Sequence, residues 1–318
     1  LGVMLKMIGD HKAVSFIEDA CVPVDNLADY ADGIIKLVAD EGLRLMSYGH
    51  ASVGVLHLKP ILNLKDPVER EKAARISRKA MELCKSYGGS WSGEHGDGIA
   101  RGAENVSFWG EDMIEVFREV KRLFDPKGIL NPGKIFDTPP VMGPLRYTQG
   151  YHKTDYKSMF HFRDLGGFQG AAEMCNGVGQ CRKIGEGTMC PSYMATRDEK
   201  DSTRGRANAL RLAMAGQFKG GLASKEVYEI LDLCLECKAC QTECPTNVDM
   251  AKMKSEFLHA YHQEHGTKLR EKVFAFSPKT APLNTGWRAP IVNGVLGITP
   301  VRKAVNKFLG VAVERPLP

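Results

Sequence analysis

The sequence contains no apolar run approaching the roughly eighteen residues that cross a bilayer, so no transmembrane segment is expected, while peripheral contact with a membrane stays open. Its start, LGVMLKMIGDHK, lacks an apolar signal core and a small-residue cleavage site. It also lacks an initiating Met, and the end, FLGVAVERPLP, breaks off mid-pattern, so truncation at both ends is the expectation. Excess charge is scarce. The 43 Lys and Arg against 38 Asp and Glu leave only +5. They form no like-charge block of about five residues and no basic–aromatic interleaving, so nucleic acid is not expected as a partner. A dinucleotide fingerprint is missing too, because GEHGDG at 93–98 lacks the glycine spacing and the strand–helix setting of a Rossmann turn. Cysteine is nearly absent outside one stretch. Seven of the nine lie between 175 and 244, which excludes a chain-wide disulfide framework. Cys21 and Cys84 stand apart and read as small buried hydrophobes.

What is present is globular: 318 residues, 43% hydrophobic and 25% charged, enough for a sizeable core in one large or a few modest domains. VSFIE at 14–18 reads as a strand. Residues 27–41 carry helical spacing closed by Gly42, and 43–58 suggest two strands around a glycine turn. Asp66-Pro67 with Glu69 starts a helix running to about Tyr87, and 111–124 is another. Residues 137–170 show no sustained period and read as a linker. Helices are expected at 203–217, 223–233 and 249–265.

The cysteines carry the clearest chemistry. Cys234-x2-Cys237-x2-Cys240-x3-Cys244-Pro245 has bacterial ferredoxin spacing, in which the fourth thiolate serves the other cluster. Zinc also suits four thiolates, but it is normally held by two paired knuckles. The first group, Cys175-x5-Cys181-x8-Cys190-Pro191, is irregular, with Val178 where a regular motif has cysteine. The simplest assignment joins Cys190 to Cys234, Cys237 and Cys240 around one [4Fe–4S] cluster. Cys175, Cys181 and Cys244 then remain for a second site that is one ligand short: [3Fe–4S], [4Fe–4S] with a non-cysteine or exchangeable ligand, or lost. Thiolate ligands favour a reducing compartment, the cytoplasm or the cytosolic face of a membrane.

His50 and His57 bracket a glycine-containing segment, and Glu94 and His95 lie between glycines in SGEHGDG. Two imidazoles and a carboxylate suit Zn, Mn or Fe as a divalent ion. Such an ion can lower the pKa of a 2-hydroxy acid's hydroxyl while a neighbouring histidine takes the proton. Unrelated histidines on a strand pair are the plainer alternative. The arginines of Ser202-Thr203-Arg204-Gly205-Arg206 either bond the cluster-bearing loops or face solvent.

FIED at 16–19, GHASVGVLH at 49–57, SGEHGDG at 92–98 and FDPKGILNPGKIF at 124–136 together resemble the C-terminal cap of FAD-linked oxidases of the vanillyl-alcohol oxidase type. MCNGVGQCRK, MCPSYMATRDEKDSTRGRANALR and CLECKACQTECPTNVDM resemble the ferredoxin-like module fused behind that cap in large bacterial D-2-hydroxy-acid dehydrogenases. The resemblance implies an α+β fold: a partial ferredoxin-like cap domain (1–136, truncated at its start), the linker, and a mainly α-helical ferredoxin-type iron–sulfur domain (171–270). The start of a further region would follow at 271–318. It implies oxidation of D-lactate, D-2-hydroxyglutarate or glycolate by FAD held mostly by an N-terminal domain outside this chain. Electrons would pass through the clusters to a quinone, a cytochrome or an electron-transfer protein. By position, His50, His57 and Glu94 match metal ligands, His95 the general base, and Asn131 the turn approaching the flavin. Relatives often carry Asn or Asp between the two histidines, where this chain has Ser52-Val53-Gly54-Val55. The rival expectations are a non-catalytic iron–sulfur subunit docking on a separate flavoprotein, and a structural zinc protein.

Overall fold

The computed structural model describes residues 4, 6–143, 145–147, 151, 152, 154 and 156–314. The N-terminal part is built on a three-stranded antiparallel sheet in the order β1 (His11–Ala13), β3 (Val55–Asn63), β2 (Arg44–His50). Alternation along β3 divides its side chains between two faces. Leu58 and Leu62 enter a core with Phe16, Ile17, Tyr30, Ile34, Ile76, Ala80 and Trp91, while His57 and Lys59 rise from the opposite face. The turn between β2 and β3 needs a glycine. Gly54 has φ +73°, and a Cβ there would meet the Val22 carbonyl oxygen at 1.9 Å.

The expected strand at 14–18 is displaced. β1 ends at Ala13, and Val14 N–H donates the last ladder bond to Pro60 at 2.9 Å. Pro60 has no N–H to return it, so the ladder stops there. Phe16 and Ile17 are still buried, as core residues beyond the sheet, and the chain then turns to present Glu18 and Asp19.

Helices α1 (Leu27–Asp40) and α2 (Pro67–Ser86) pack beside the sheet. In α2 the buried residues Ala73, Ile76, Ser77, Ala80, Met81 and Cys84 repeat at helical spacing. Asp66 caps this helix by accepting from Val68 N–H at 2.9 Å. Glu69 does not close a capping box; it accepts instead from Asn63 N–H at 2.6 Å. Short α3 (Asn105–Trp109) and amphipathic α4 (Glu111–Phe124) follow. Cys84 is fully buried, as expected, and burial pushes its thiol up to about 12. Cys21 is only partly buried.

Among the described residues, 136–162 form no helix or strand. The cysteine-bearing part is helical: α5 (Gly167–Glu173), α6 (Pro191–Thr196), α7 (Thr203–Met214), α8 (Lys225–Asp232), α9 (Ala239–Glu243) and α10 (Met250–His265). Ser202 caps α7 through Gly205 N–H at 2.9 Å. That helix ends three residues short of expectation, because Gly216 with φ +76° turns the chain and Gln217 N–H bonds back to the Leu212 carbonyl. Mixed α+β structure followed by a mainly helical, cysteine-bearing region is the fold the sequence implies.

Residues up to Glu256 form one compact unit, and those from Phe257 on a second. The second contains α11 (Leu269–Thr280), α12 (Ala289–Gly297) and α13 (Thr299–Leu309), none of which fully buries a residue. Among the described residues, no helix is long and apolar enough to cross a membrane.

Candidate active site and cluster sites

Strand register assembles the histidines. Tyr48 pairs with His57 and His50 with Val55, so His50, Tyr48, His57 and Lys59 share one sheet face. His57 is 1% exposed. Its Nδ1 lies 2.9 Å from the Glu18 carbonyl oxygen. A carbonyl can only accept, so Nδ1 carries a proton and Nε2 is the nitrogen left to face other partners. That Nε2 lies 2.9 Å from Oε1 of Glu94, and the same oxygen is 3.4 Å from His50 Nε2 and 3.2 Å from His95 Nε2. The His95 ring stacks on His57 with centroids 4.8 Å apart.

Asp19, which sequence reasoning did not single out, shapes this loop. It is fully buried. Its carboxylate accepts from Ser92 Oγ and from the N–H groups of Gly93, Glu94 and His95 at 3.0 to 3.2 Å, and from Arg101 Nη2 at 2.9 Å. Burial opposes its charge, but the Glu94 and His95 amides and the Arg101 guanidinium outweigh burial and hold the carboxyl below its usual range. In the sequence it stood only within FIED at 16–19, as a carboxylate pair following the apolar Phe16-Ile17, with no role of its own. Glu18 pairs with Lys59 at 2.8 Å.

Asp19, His57, Glu94 and His95 each place one ligand-type atom within 4.8 Å of the others. The Asp19 oxygens already accept five hydrogen bonds, which suits an organiser of the loop. Nε2 of His50 and of His57 both face one Glu94 oxygen, and the two nearby cations are engaged elsewhere, Lys59 by Glu18 and Arg101 by Asp19. Two imidazoles and a carboxylate are donor types that suit a divalent ion of the Zn, Mn or Fe kind, and the His57 bond to the Glu18 carbonyl is the kind of contact that orients a ligating imidazole.

Asn131 lies at φ +48° in an exposed turn. Asp125 pins that turn by accepting from Ile129 and Leu130 N–H at 3.1 and 2.8 Å. The turn is fastened to the histidine loop by Ile135 N–H to the Gly98 carbonyl at 2.9 Å. Asn105 also bridges Asp97 and the Ile135 carbonyl at 2.9 and 2.8 Å.

The seven clustered cysteines divide between two cavities. Cys190, Cys234, Cys237 and Cys240 line one with Arg206, and Cys175, Cys181 and Cys244 line another with Val178 and Arg204. N–H groups aim at the sulfurs: Arg206 Nη1 at Cys190 (3.4 Å), Met250 N at Cys240 (3.4 Å) and Arg204 N at Cys181 (3.3 Å). Such donors are typical partners of cluster-bound sulfur. Burial pushes the Cys240 thiol up to about 11 and those of Cys175, Cys181 and Cys234 up as well. A bound cluster displaces these protons. Glu243, at the end of α9, clamps the turn that carries Cys190, accepting from Thr188 Oγ1, Thr188 N–H (2.8 Å) and Met189 N–H (3.2 Å).

Comparison with known proteins agrees with both halves. Residues 1–135 match the family model of FAD linked oxidases, C-terminal domain, and residues 171–248 match the 4Fe-4S dicluster domain. The chain is therefore a fusion of an FAD-linked oxidase C-terminal domain with a 4Fe–4S dicluster domain, and it matches members of a D-2-hydroxy-acid dehydrogenase-type oxidoreductase family. It is 32% identical to a D-2-hydroxyglutarate dehydrogenase of Escherichia coli (strain K12) over 354 aligned positions, covering 100% of this chain and 34% of that protein. A D-lactate dehydrogenase of Archaeoglobus fulgidus is 39% identical over 40% of this chain and 28% of its own length. A glycolate oxidase subunit of E. coli K12 is 36% identical over 38% of this chain and 24% of its own. The chain spans about a third of the length of the D-2-hydroxyglutarate dehydrogenases it matches.

Proposed function

We propose that this chain provides the substrate-facing cap and the electron exit of an FAD-dependent D-2-hydroxy-acid dehydrogenase. The observation that supports this most directly is the convergence of the His50, His57 and His95 Nε2 atoms on one Glu94 oxygen within 2.9–3.4 Å, in the same compact unit as two cysteine cavities.

Oxidising a 2-hydroxy acid removes the hydroxyl proton and the C2 hydride. His95, 44% exposed, is accessible to a ligand and takes the hydroxyl proton as general base. The His50, His57 and Glu94 side chains hold a divalent ion, which when bound supplies Lewis-acid stabilisation of the alkoxide. Asp19 and Arg101 keep the Glu94–His95 backbone in place. FAD, when bound mainly by protein outside this chain, would supply hydride acceptance, and Asn131 in its exposed turn is the residue of this chain that would face it. Cys190, Cys234, Cys237 and Cys240, with Cys175, Cys181 and Cys244, would hold iron–sulfur clusters, which when bound would supply one-electron transfer to a quinone, cytochrome or electron-transfer protein. D-2-Hydroxyglutarate, D-lactate and glycolate are the candidate substrates. A reducing, cytoplasmic setting suits the thiolates.

The test is His95→Asn in the full-length protein, with substrate-dependent flavin reduction followed by stopped flow. The expected result is a slowing of about 100-fold or more with the cluster spectrum unchanged. Near-normal reduction removes His95 from the role of base.

A further inference from the structure

Two cavities accept cysteine thiolates, and they are not equivalent. The first is lined by four cysteines, three of them at 234, 237 and 240. The corresponding run around the second is Cys175-x2-Val178-x2-Cys181, completed by Cys244. Val178 lines the same cavity as those three thiols, so the gap in the spacing is also a gap in space. Its side chain is hydrocarbon and ligates nothing.

Among the described residues no further thiol lines that cavity, and its other side-chain oxygens are the amides of Asn176 and Gln180 and the hydroxyls of Thr203 and Thr246, neutral groups that are poor substitutes for a thiolate. The lining includes no histidine and no carboxylate. The Asn176 side-chain oxygen accepts from Val178 N–H at 3.1 Å and is engaged in its own turn. The Thr246 hydroxyl sits 3.3 Å from Cys244 Sγ, as a partner of sulfur. Arg204 is a cation. Val178 is 55% exposed, and Cys237, at the same place in the complete run, is exposed too. The unligated corner therefore lies on the solvent side.

We propose that Cys175, Cys181 and Cys244 hold the second cluster through three thiolates only, so that the iron beside Val178 has no protein ligand and is exchangeable. This rests on the two-cluster reading above and departs from a pair of fully ligated [4Fe–4S] centres. Mild oxidation converts the site to [3Fe–4S]⁺: [4Fe–4S]²⁺ releases Fe²⁺ and gives one electron to an oxidant such as ferricyanide. Ferrous ion with a reductant reverses the change. The Cys190 site keeps its four thiolates under the same treatment. Cluster type and charge set reduction potential, so the two centres differ in potential by construction.

The experiment uses the anaerobically reconstituted full-length protein treated with limiting ferricyanide. Iron and inorganic sulfide are assayed and EPR spectra recorded. The expected result is a [3Fe–4S]⁺ signal from one of the two clusters, with iron falling below sulfide. Val178→Cys suppresses that signal and restores the iron, while Val178→Ala leaves both as in the parent. Iron equal to sulfide with no [3Fe–4S]⁺ signal in the parent overturns the proposal, as does a signal that Val178→Cys leaves unchanged. If iron and sulfide suffice for one cluster only, and Cys181→Ala changes no spectrum, the two-cluster reading itself fails, a result distinct from the other two.

Discussion

His57 Nε2 lies 2.9 Å from Oε1 of Glu94, while its other ring nitrogen is committed to the Glu18 carbonyl. A buried imidazole is thus held in one orientation, with Nε2 facing a carboxylate. Glu94→Gln removes the negative charge at that point. The full-length variant is expected to lose a bound divalent ion during purification and to reduce flavin at least about tenfold more slowly with substrate, with the iron–sulfur spectrum intact. Metal analysis beside single-turnover kinetics checks this; full metal occupancy in the variant would show that Glu94 is not a ligand.

Glu243 gives a pH-dependent clamp. Its bonds from the Thr188 hydroxyl and amide, the Met189 amide and Lys183 hold its carboxyl down to about 2, from an ordinary 4.5. A depressed carboxyl stabilises the fold above its unfolded pKa and loses that contribution as pH falls through the folded one. The stability gap between wild type and Glu243→Gln should therefore be full at neutral pH and down to about 4.5, then close toward about 2. Denaturant unfolding at a series of pH values measures it. A gap that ignores pH would exclude a charge effect.

Lys65 joins the end of the sheet to the start of the cysteine-bearing region. Its Nζ lies 2.6 Å from both Asp10 and Glu173, and Glu173 also accepts from Tyr151 at 2.6 Å. Glu173 is nearly buried, so Lys65→Met leaves its charge with only the Tyr151 hydroxyl and the more distant Lys12 and Arg211, and is expected to cost on the order of 2–3 kcal/mol, below the roughly 3–5 kcal/mol of a charge left with no partner. Adding Glu173→Leu to Lys65→Met should recover part of that loss. Two independent, additive losses in a double-mutant cycle would show that the pair is not coupled.

Arg206 is fully buried and reaches Cys190 Sγ at 3.4 Å and the Ile230 carbonyl at 3.2 Å. A cation there favours the more negative, reduced cluster. Arg206→Gln should lower the midpoint potential of the Cys190 cluster by on the order of 60 mV, a tenfold shift in a one-electron equilibrium. A potentiometric EPR titration reads the shift, and an unchanged or raised potential would count against it.

Much of this was legible in the residues. The ferredoxin spacing after Cys234 is short-range and stands in the sequence directly, and the grouping of Cys190 with Cys234, Cys237 and Cys240 in one cavity and of Cys244 with Cys175 and Cys181 in another follows the division that spacing suggests. The α2 helix announced itself through Asp66, Pro67 and a regular apolar stripe. The organisers were not visible. Asp19 acts on a loop more than seventy residues away, and a buried carboxylate satisfied by backbone amides leaves no periodic trace. Glu243 looked like one more charge on a cysteine-rich helix. The misplaced first strand has a local cause: VSFIE has strand composition, but its partner in the ladder is Pro60, whose missing N–H could be weighed only once the register was known.

The most direct measurement adds D-2-hydroxyglutarate, D-lactate or glycolate anaerobically to the full-length protein and follows flavin absorbance and cluster EPR together. With the true substrate, the flavin bleaches and a reduced-cluster signal grows in behind it. In Cys237→Ser, bleaching persists while electron delivery to the acceptor stops. A flavin that reduces fully while intact wild-type clusters stay oxidised would contradict an electron path through these cysteines.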